Sequence, residues 1–235
     1  MRLDKYLCDM NMGSRSVVKE LIKKGNVTVN DVLVKTSDYK VSPTDVIIVN
    51  GVTVSYQRLF YYMLNKPTGY ISATTDTKEK TVLELLGSDN RSDLFPVGRL
   101  DKDTEGLLLI SNDGELAHNL LSPKKHIAKK YYVILANAIS DEEINQIEKG
   151  IDIGEEKKTL PAVIKKIDDC SLYISITEGK YHQVKRMFQA VHNEVTYLKR
   201  IAMGDVTLDE ALALGEYRAL TQEELNCLKN ANKGK

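Results

Sequence analysis

Short apolar runs, each bounded by Gly, Pro, Asn or Asp, constrain the fold of this chain more than any other feature. Runs of this length that are rich in Val, Ile and Tyr predict strands. The clearest are VTV at 27–29, VIIV at 46–49, GLLLIS at 106–111, KKYYVILA at 129–136 and SLYISIT at 171–177. Capping boxes at Ser140 and Thr221 predict the starts of two helices. Because strands and helices alternate without a regular strand–helix–strand count, we expect an α+β fold on a mixed, mostly antiparallel sheet.

Composition and residue spacing exclude several classes of protein. The 33 basic and 33 acidic residues cancel, so the global charge indicates no polyanionic partner. The three Cys are scattered, which favours a reducing cytoplasm. Neither they nor the four His have the spacing of metal ligands, which argues against a metal site. No window approaches the roughly 18 apolar residues of a membrane span. Glycine-rich nucleotide-binding motifs are also absent, so we expect a cytoplasmic protein that needs no metal, no cofactor and no membrane.

The N-terminal segment contains a predicted helix with two distinct faces. Ser14 is the expected N-cap, and Gly25 ends the helix. Its apolar face comprises Val17, Val18, Leu21 and Ile22. Its basic stripe comprises Arg15, Lys19 and Lys23. A stripe of this kind is most often a solvated helix face, and it also suits contact with nucleic acid.

The order of these segments resembles that of the S4 RNA-binding domain. The resemblance rests on MRLDKYL at 1–7 and GSRSVVKELIKKGNVTVN at 13–30. It implies a small αL-like domain whose basic stripe grips RNA backbone. Asn30 and Asp31 stand where the family often has Asn-Gly, a departure that affects a turn and leaves the basic stripe unchanged.

Asp101 lies in the charged turn of GRLDKDTEGLLLISNDG, residues 98–114. An Asp in this position often only caps the turn. Alternatively, a carboxylate that follows an apolar strand could be half desolvated and kept ionised by a nearby cation. Lys185 and Arg186, on a second predicted basic helix, are candidates for that cation. An ionised, partly desolvated carboxylate is a competent nucleophile or base.

The motifs of the second half resemble those of the RsuA group of pseudouridine synthases. They occur in the order of that family as YYMLNKPTGY, GRLDKDTEGLLLISNDG, KKYYV, ITEGKYHQVKRMFQAV and GEYRALTQEEL. The resemblance implies an S4-like domain over 1–56, a linker at 57–60 and a synthase domain over 61–232. It also implies isomerisation of uridine to pseudouridine in ribosomal RNA, a reaction that needs no cofactor. TLPAVI at 159–164 is most similar to members that act on small-subunit ribosomal RNA.

The resemblance assigns catalytic roles to three residues. Asp101 would be the essential carboxylate, which either attacks C1′ of the ribose or abstracts a sugar proton. Tyr131 would stack on the uracil and remove the proton from C5, whereas its ordinary role would be to fill the core. Tyr132 is expected on the opposite face of the strand. Lys185 would pair with Asp101, whereas its ordinary role would be that of an exposed helix lysine.

RNA contacts are expected from a further set of side chains. A paired uridine cannot reach such a site, so the base must be extruded at a cost of a few kcal/mol. Arg99 is expected to fill the vacated space or hold the displaced phosphate, and Lys66 is a weaker candidate for the same role. Gln183 and Arg186 are expected either to contact the RNA backbone or to orient the motif helix.

Two other functions remain compatible with the sequence. One is a synthase that acts on large-subunit ribosomal RNA, and the other is a non-catalytic RNA-binding factor of ribosome assembly. The complete set of carboxylate, tyrosine and lysine disfavours the second. We expect the partner to be ribosomal RNA or a small-subunit assembly intermediate, and we expect the protein to be a monomer.

Overall fold

A computed structural model describes residues 1–42 and 44–231, and the chain divides into two units. The first unit comprises Met1–Leu59 and the second begins at Phe60. Residue 232, where the sequence predicts the second domain to end, lies outside the described residues. Within those ranges, none of the helices has the length and apolar composition needed to span a membrane.

The first unit combines two helices with a four-stranded antiparallel sheet. Its elements are α1 (Leu3–Asp9), α2 (Arg15–Lys23), β1 (Val27–Val29), β2 (Val32–Leu33), β3 (Ile47–Val49) and β4 (Val52–Val54), with strand order β2-β1-β3-β4. Asn30 and Asp31 both have positive φ, 49° and 64°, in the turn between β1 and β2. Asn and Asp tolerate this left-handed region better than most residues, so the turn forms without the usual glycine.

Helix α2 follows the sequence prediction with one exception. The Ser14 side chain accepts a hydrogen bond from the backbone N–H of Val17, which confirms the predicted N-cap. Val18 and Ile22 are fully buried in the apolar cluster of this unit. Val17, in contrast, is 48% exposed, so its placement on the apolar face was wrong. Val17 lies in the first helical turn, about 100° around the helix from Val18, and therefore faces away from the core.

The second unit is built on a nine-stranded sheet formed by the described residues. Its strands are β5 (Tyr61–Lys66), β6 (Phe95–Val97), β7 (Glu105–Ser111), β8 (Lys129–Leu135), β9 (Val163–Lys166), β10 (Ser171–Ile176), β11 (Val195–Met203), β12 (Val206–Thr207) and β13 (Tyr217–Ala219). Its helices are α3 (Gly114–Leu121), α4 (Asp141–Glu148), α5 (Gln183–Gln189), α6 (Gln222–Asn230) and 3₁₀ segments at Val82–Asp89 and Pro123–Lys125. The predicted capping boxes begin α4 and α6.

The sheet has the order β13-β5-β7-β11-β8-β10-β9, with β6 paired to β7 and β12 to β11. Only the β7–β11 pair is parallel among the described strand pairs, which confirms the predicted mixed, mostly antiparallel sheet. At this pair Gly106 has φ +99°, and an added Cβ would lie 2.2 Å from the backbone oxygen of Arg200. Glycine therefore permits the close approach of the two strands.

Two apolar clusters cover the two faces of this sheet. The larger cluster joins Leu108, Val133 and Ile174 to residues of α4 and α5. The smaller cluster, on the other face, joins Met63 and Leu107 to residues of α3 and α6. The alternation of side chains along each strand produces this division, because successive residues point to opposite faces. It also directs each residue of β8 toward one face or the other.

Candidate active site

The loop 98–104, called the Asp101 loop below, connects β6 to β7 and forms one wall of a cavity of about 90 Å³. Other walls come from Tyr131 on β8 and from the segment that leads into α5, which includes His182. Arg99 also lines the cavity and is exposed. Segments that are distant in the sequence therefore meet at one cleft.

The Asp101 carboxylate faces two basic side chains. The Nζ atom of Lys185 lies 3.3 Å from Oδ2 of Asp101, and the Nε2 atom of His182 lies 3.5 Å from Oδ1. The Asp101 side chain is 27% exposed, so it is shielded from bulk water yet open to the cavity. A carboxylate in this environment stays ionised when a cation lies beside it. This arrangement offers either a nucleophile or a base to a ligand in the cavity.

Lys185 contacts a second carboxylate that the sequence analysis did not connect to it. Its Nζ donates a hydrogen bond to Oδ1 of Asp103 at 2.5 Å. This hydrogen bond holds the pKa of the Asp103 carboxyl below its ordinary value, although partial burial opposes the shift. The ammonium group of Lys185 thus lies between Asp101 and Asp103 and neutralises part of their mutual repulsion.

Lys66 is not the RNA-contacting side chain that the sequence suggested. It is fully buried at the end of β5. Its Nζ donates to the backbone oxygens of Pro67 at 3.0 Å, Asp101 at 3.1 Å, Lys102 at 3.4 Å and Thr104 at 2.8 Å. Burial lowers the pKa of Lys66 to about 8. The lysine fixes the backbone of the Asp101 loop, and its burial leaves no access for RNA.

His182 is a component of the site that sequence reasoning missed. The four histidines lack metal-ligand spacing, so the sequence assigns His182 no role. His182 occupies the N-cap of α5 with a left-handed φ of 48°, and its ring stacks on that of Tyr181 at 3.8 Å. The only available sequence signal was its position at the start of the predicted basic helix.

Tyr131 and Tyr132 point to opposite faces of β8, as the strand alternation predicts. Tyr131 is 8% exposed and lines the cavity beside the Asp101 loop. Tyr132 lines a separate cleft and contacts the ring of Tyr173. Tyr131 belongs to the larger apolar cluster of the sheet. It also lines the cavity, where part of the side chain is available to a ligand.

Gln183 and Arg186 form hydrogen bonds within the protein. Gln183 is 4% exposed, and its Nε2 donates to Glu178 at 2.8 Å. Arg186 donates to the Glu155 carboxylate at 2.7 Å and to the backbone oxygen of Ile153. Both side chains are thus engaged within the protein, which favours the expected orienting role, while Gln183 also lines the cavity and RNA contact stays a prediction.

The basic stripe on α2 is accessible in the first unit. Arg15, Lys19 and Lys23 are all exposed. None of the three forms a salt bridge with a carboxylate in residues 1–42 and 44–231. Their charges are therefore available to an anionic ligand.

Comparison with known proteins identifies the family. The family model of RNA pseudouridylate synthases matches residues 60–190, and the S4 domain model matches residues 1–47. A solved structure described as a pseudouridylate synthase superposes with a TM-score of 0.70 at 37% identity, covering 97% of this chain and 99% of that chain. The chain therefore belongs to the RNA pseudouridylate synthase family and carries an S4 domain, as the sequence motifs predicted.

Curated relatives match along nearly the whole chain. An uncharacterized RNA pseudouridine synthase of Bacillus subtilis is 51% identical, covering 97% of this chain and 98% of the relative. The ribosomal small subunit pseudouridine synthase A of Vibrio cholerae is 43% identical, and that of Escherichia coli is 40% identical. Each of the latter two alignments covers 96% of this chain and 98% of the relative.

Proposed function

We propose that this protein isomerises a specific uridine of small-subunit ribosomal RNA to pseudouridine, acting as a monomer in the cytoplasm. The relatives named ribosomal small subunit pseudouridine synthase A support this substrate, because they match both domains along nearly their whole length. The substrate is either free ribosomal RNA or a small-subunit assembly intermediate.

The observation that carries the proposal is the cavity lined by Asp101 and Tyr131, with Lys185 paired to Asp101, in a chain of this family. Asp101 is the reacting carboxylate. It either attacks C1′ of the ribose or abstracts a sugar proton, and each route requires the unprotonated form. Lys185 stabilises that form by its positive charge, and His182 adds a second polar contact.

Tyr131 stacks on the uracil and accepts the proton from C5 once the base has rejoined the sugar through that carbon. The reaction breaks the bond between C1′ and N1 and forms the bond between C1′ and C5, and the proton leaves C5. No electrons are transferred, so no redox partner takes part. The buried ring of Tyr131 and its edge on the cavity suit both roles.

RNA recognition uses both domains. We assign RNA backbone contact to the basic stripe of the S4 domain over residues 1–56, catalysis to residues 61–232 and a linking role to residues 57–60. Arg99, exposed at the cavity, fills the space left by the extruded uridine or holds its phosphate. Arg15, Lys19 and Lys23 supply sequence-independent affinity that decreases as salt rises.

The decisive experiment is to map pseudouridine in ribosomal RNA from cells with and without the gene. One site in small-subunit RNA should disappear without the gene and return with the wild-type protein. Asp101→Asn should not restore it, with a loss of turnover in vitro of about 10⁴-fold or more. The matched control is Asp205→Asn, an exposed carboxylate on the β11–β12 turn, which should restore the site. A missing site in large-subunit RNA, or none at all, would contradict the proposed substrate.

The role of Tyr131 is tested by removing only its hydroxyl group. Tyr131→Phe should reduce turnover by about 10² to 10⁴-fold, because the base for the C5 proton is lost while the stacking ring remains. Tyr62→Phe, on β5, removes the same atom from a tyrosine that does not line the cavity and should leave turnover unchanged. Single-turnover measurements would separate the chemical step from RNA binding, and equal rates for the two variants would exclude Tyr131 as the base.

A further inference from the structure

The sheet face opposite the Asp101 cavity carries a second, larger cleft of about 940 Å³. Helices α3 and α6 cover this face with the smaller apolar cluster, which includes Met63 and Leu107 on β5 and β7. That cluster does not include the neighbouring residues of β8 and β10. The surface over those strands, called the tyrosine face below, comprises Tyr132, Tyr173, Tyr197, Lys130, Lys165 and Lys199.

The strand register aligns four of these residues in one row across the sheet. Tyr173 on β10 pairs with Lys165 on β9 and with Tyr132 on β8. Tyr132 in turn pairs with Lys199 on β11. Directly paired residues of antiparallel strands point to the same face. The row therefore presents two aromatic rings with a lysine at each end.

The tyrosines form a connected aromatic group that remains partly exposed. The ring centroids of Tyr132 and Tyr173 are 5.7 Å apart, and those of Tyr132 and Tyr197 are 6.1 Å apart. All three side chains are half-buried rather than covered by the apolar core. Rings held in this way offer flat surfaces to a planar ligand, and nucleic-acid bases stack on such surfaces whatever their sequence.

Among the described residues, the three lysines of the tyrosine face are not engaged in ion pairs. Lys130 lies over the ring of Tyr173, with Nζ 4.7 Å from the centroid. Lys130, Lys165 and Lys199 form no salt bridge with a carboxylate in the described parts of the chain. Their free ammonium groups complement a phosphate backbone that passes over the rings.

The acidic groups near the cleft are largely engaged by other side chains. Arg218 lies 2.6 Å from the Asp209 carboxylate, and the hydroxyl of Tyr197 donates to Glu105 at 2.7 Å. Asp168 accepts hydrogen bonds from the hydroxyl and backbone N–H of Ser171. Hydrogen bonds from the hydroxyls of Ser171 and Tyr197 do not neutralise Asp168 and Glu105, and Glu210 also lines the cleft, so the phosphate contacts of the row are assigned to its lysines alone.

Asn65 adds an independent polar feature to the wall of the same cleft. Its Nδ2 donates to the backbone oxygen of Leu212 at 2.7 Å, which fixes the orientation of the amide. Its Oδ1 is buried and accepts no hydrogen bond from the described residues. An unmet buried acceptor is costly, and the N–H groups of a stacked base are suitable donors.

We propose that the tyrosine face binds single-stranded RNA at a second site, separate from the Asp101 cavity. Bases stack on Tyr132 and Tyr173, and the backbone follows the row from Lys165 to Lys199. This inference goes beyond the proposed isomerisation, because it requires neither Asp101 nor a uridine. It gives the enzyme a way to hold a strand that flanks its target.

The test measures binding of the full chain to a fluorescein-labelled oligoadenylate of about ten nucleotides by fluorescence anisotropy. This RNA contains no uridine, so its binding is independent of catalysis. Tyr173→Leu keeps apolar volume and removes the aromatic ring, whereas Lys165→Glu reverses an exposed charge on an edge strand. Each should weaken binding by about fivefold or more, the loss expected when one stacked base or a phosphate contact is removed.

Matched controls separate this site from general effects. Tyr173→Phe keeps the ring, and Lys78→Glu makes the same charge reversal at an exposed position away from the cleft, so both should bind like the wild type. Wild-type affinity in Tyr173→Leu and Lys165→Glu would overturn the proposal, and this is also the result expected if the face binds a protein. An equal loss in Lys78→Glu would overturn it in favour of non-specific attraction. If Tyr173→Leu fails to fold, Lys165→Glu decides the outcome.

Discussion

Two lysines hold the Asp101 loop from its two sides, and they do so by different physical means. Lys66, beneath the loop, is fully buried and donates to four backbone oxygens. Lys185, on α5, is 23% exposed and lies between the carboxylates of Asp101 and Asp103. The first interaction sets where the loop backbone lies, and the second sets the charge environment of the side chain that projects from it.

This difference between the two lysines corresponds to two requirements of catalysis. A reactive group must be held within a fraction of an ångström of its productive position, and it must be in the correct protonation state. Lys66 serves the first requirement through neutral carbonyl acceptors, so its replacement should affect folding before chemistry. In the proposed reaction Lys185 serves the second through its carboxylate partners, so its replacement should affect chemistry before folding.

Replacing Lys66 should produce the largest change in stability. Lys66→Met removes the donor of four backbone oxygens inside a buried site, and a methionine cannot satisfy them. The substitution also removes a buried positive charge and its desolvation penalty, which offsets part of this cost. We expect the free energy of unfolding in urea to fall by about 3 kcal/mol.

Lys78→Met is the matched control for that experiment, because Lys78 is exposed and its loss should change stability by less than about 0.5 kcal/mol. If Lys66→Met were as stable as this control, the four hydrogen bonds would contribute nothing and the contrast between the two lysines would not hold.

Replacing Lys185 should produce a large change in turnover and a small one in stability. Lys185→Met leaves Asp101 beside Asp103 without the ammonium group between them, which disfavours the ionised form of Asp101. We expect turnover to fall by about 100-fold, while RNA affinity changes by less than about fivefold. Single-turnover rates and filter binding measure the two quantities separately.

Lys185→Arg keeps the positive charge and should retain turnover within about tenfold of the wild type. A loss in Lys185→Met that Arg did not rescue would show that packing, rather than charge, is what Lys185 provides.

Much of the fold could be predicted from local sequence patterns. Runs of Val and Ile predicted the strands, and the capping boxes at Ser140 and Thr221 predicted the starts of α4 and α6. Strand alternation separated Tyr131 from Tyr132, because the period of a strand is fixed by backbone geometry. These features depend only on neighbouring residues, so a single sequence is sufficient to find them.

The role of Lys66 could not be predicted in this way. Its carbonyl partners in the Asp101 loop lie 35 to 38 residues away in the sequence. Carbonyl oxygens are present in every residue, so no side-chain pattern marks the place where they converge. The sequence therefore predicts only that Lys66, before a Pro-Thr-Gly turn, is a weaker candidate for RNA contact.

The approach of Lys185 to Asp103 was missed for a related reason. The two residues are 82 positions apart in the sequence, with strands β7 to β10 between them, and only the folded topology brings them together. The resemblance to the synthases concerns Asp101 and assigns no role to Asp103. Electrostatic partners at a site are set by tertiary geometry, which residue types alone do not determine.

The smallest expected effect is a dependence of the free energy of unfolding on pH. It arises from the burial of Lys66 and needs no variant other than Lys66→Met. Burial lowers the pKa of Lys66 to about 8 from an ordinary value of 10.5. Below about pH 8 both the folded and the unfolded chain hold the proton, so the cost of burying the charge is constant. Between about pH 8 and pH 10 the unfolded chain binds more protons, and the free energy of unfolding should rise by up to about 1.4 kcal/mol per pH unit. Tyrosines whose pKa values are raised by burial, such as Tyr217, oppose this trend as the pH approaches 10.

The difference in unfolding free energy between the wild type and Lys66→Met isolates the contribution of Lys66, because the tyrosines titrate in both proteins. This difference should be flat from about pH 6 to pH 7.5 and should grow as the pH rises above about 8. Urea unfolding at each pH measures it. A difference that stayed constant through this range would mean that the pKa of Lys66 is not lowered, and that the ammonium group is less desolvated than its position beneath the Asp101 loop implies.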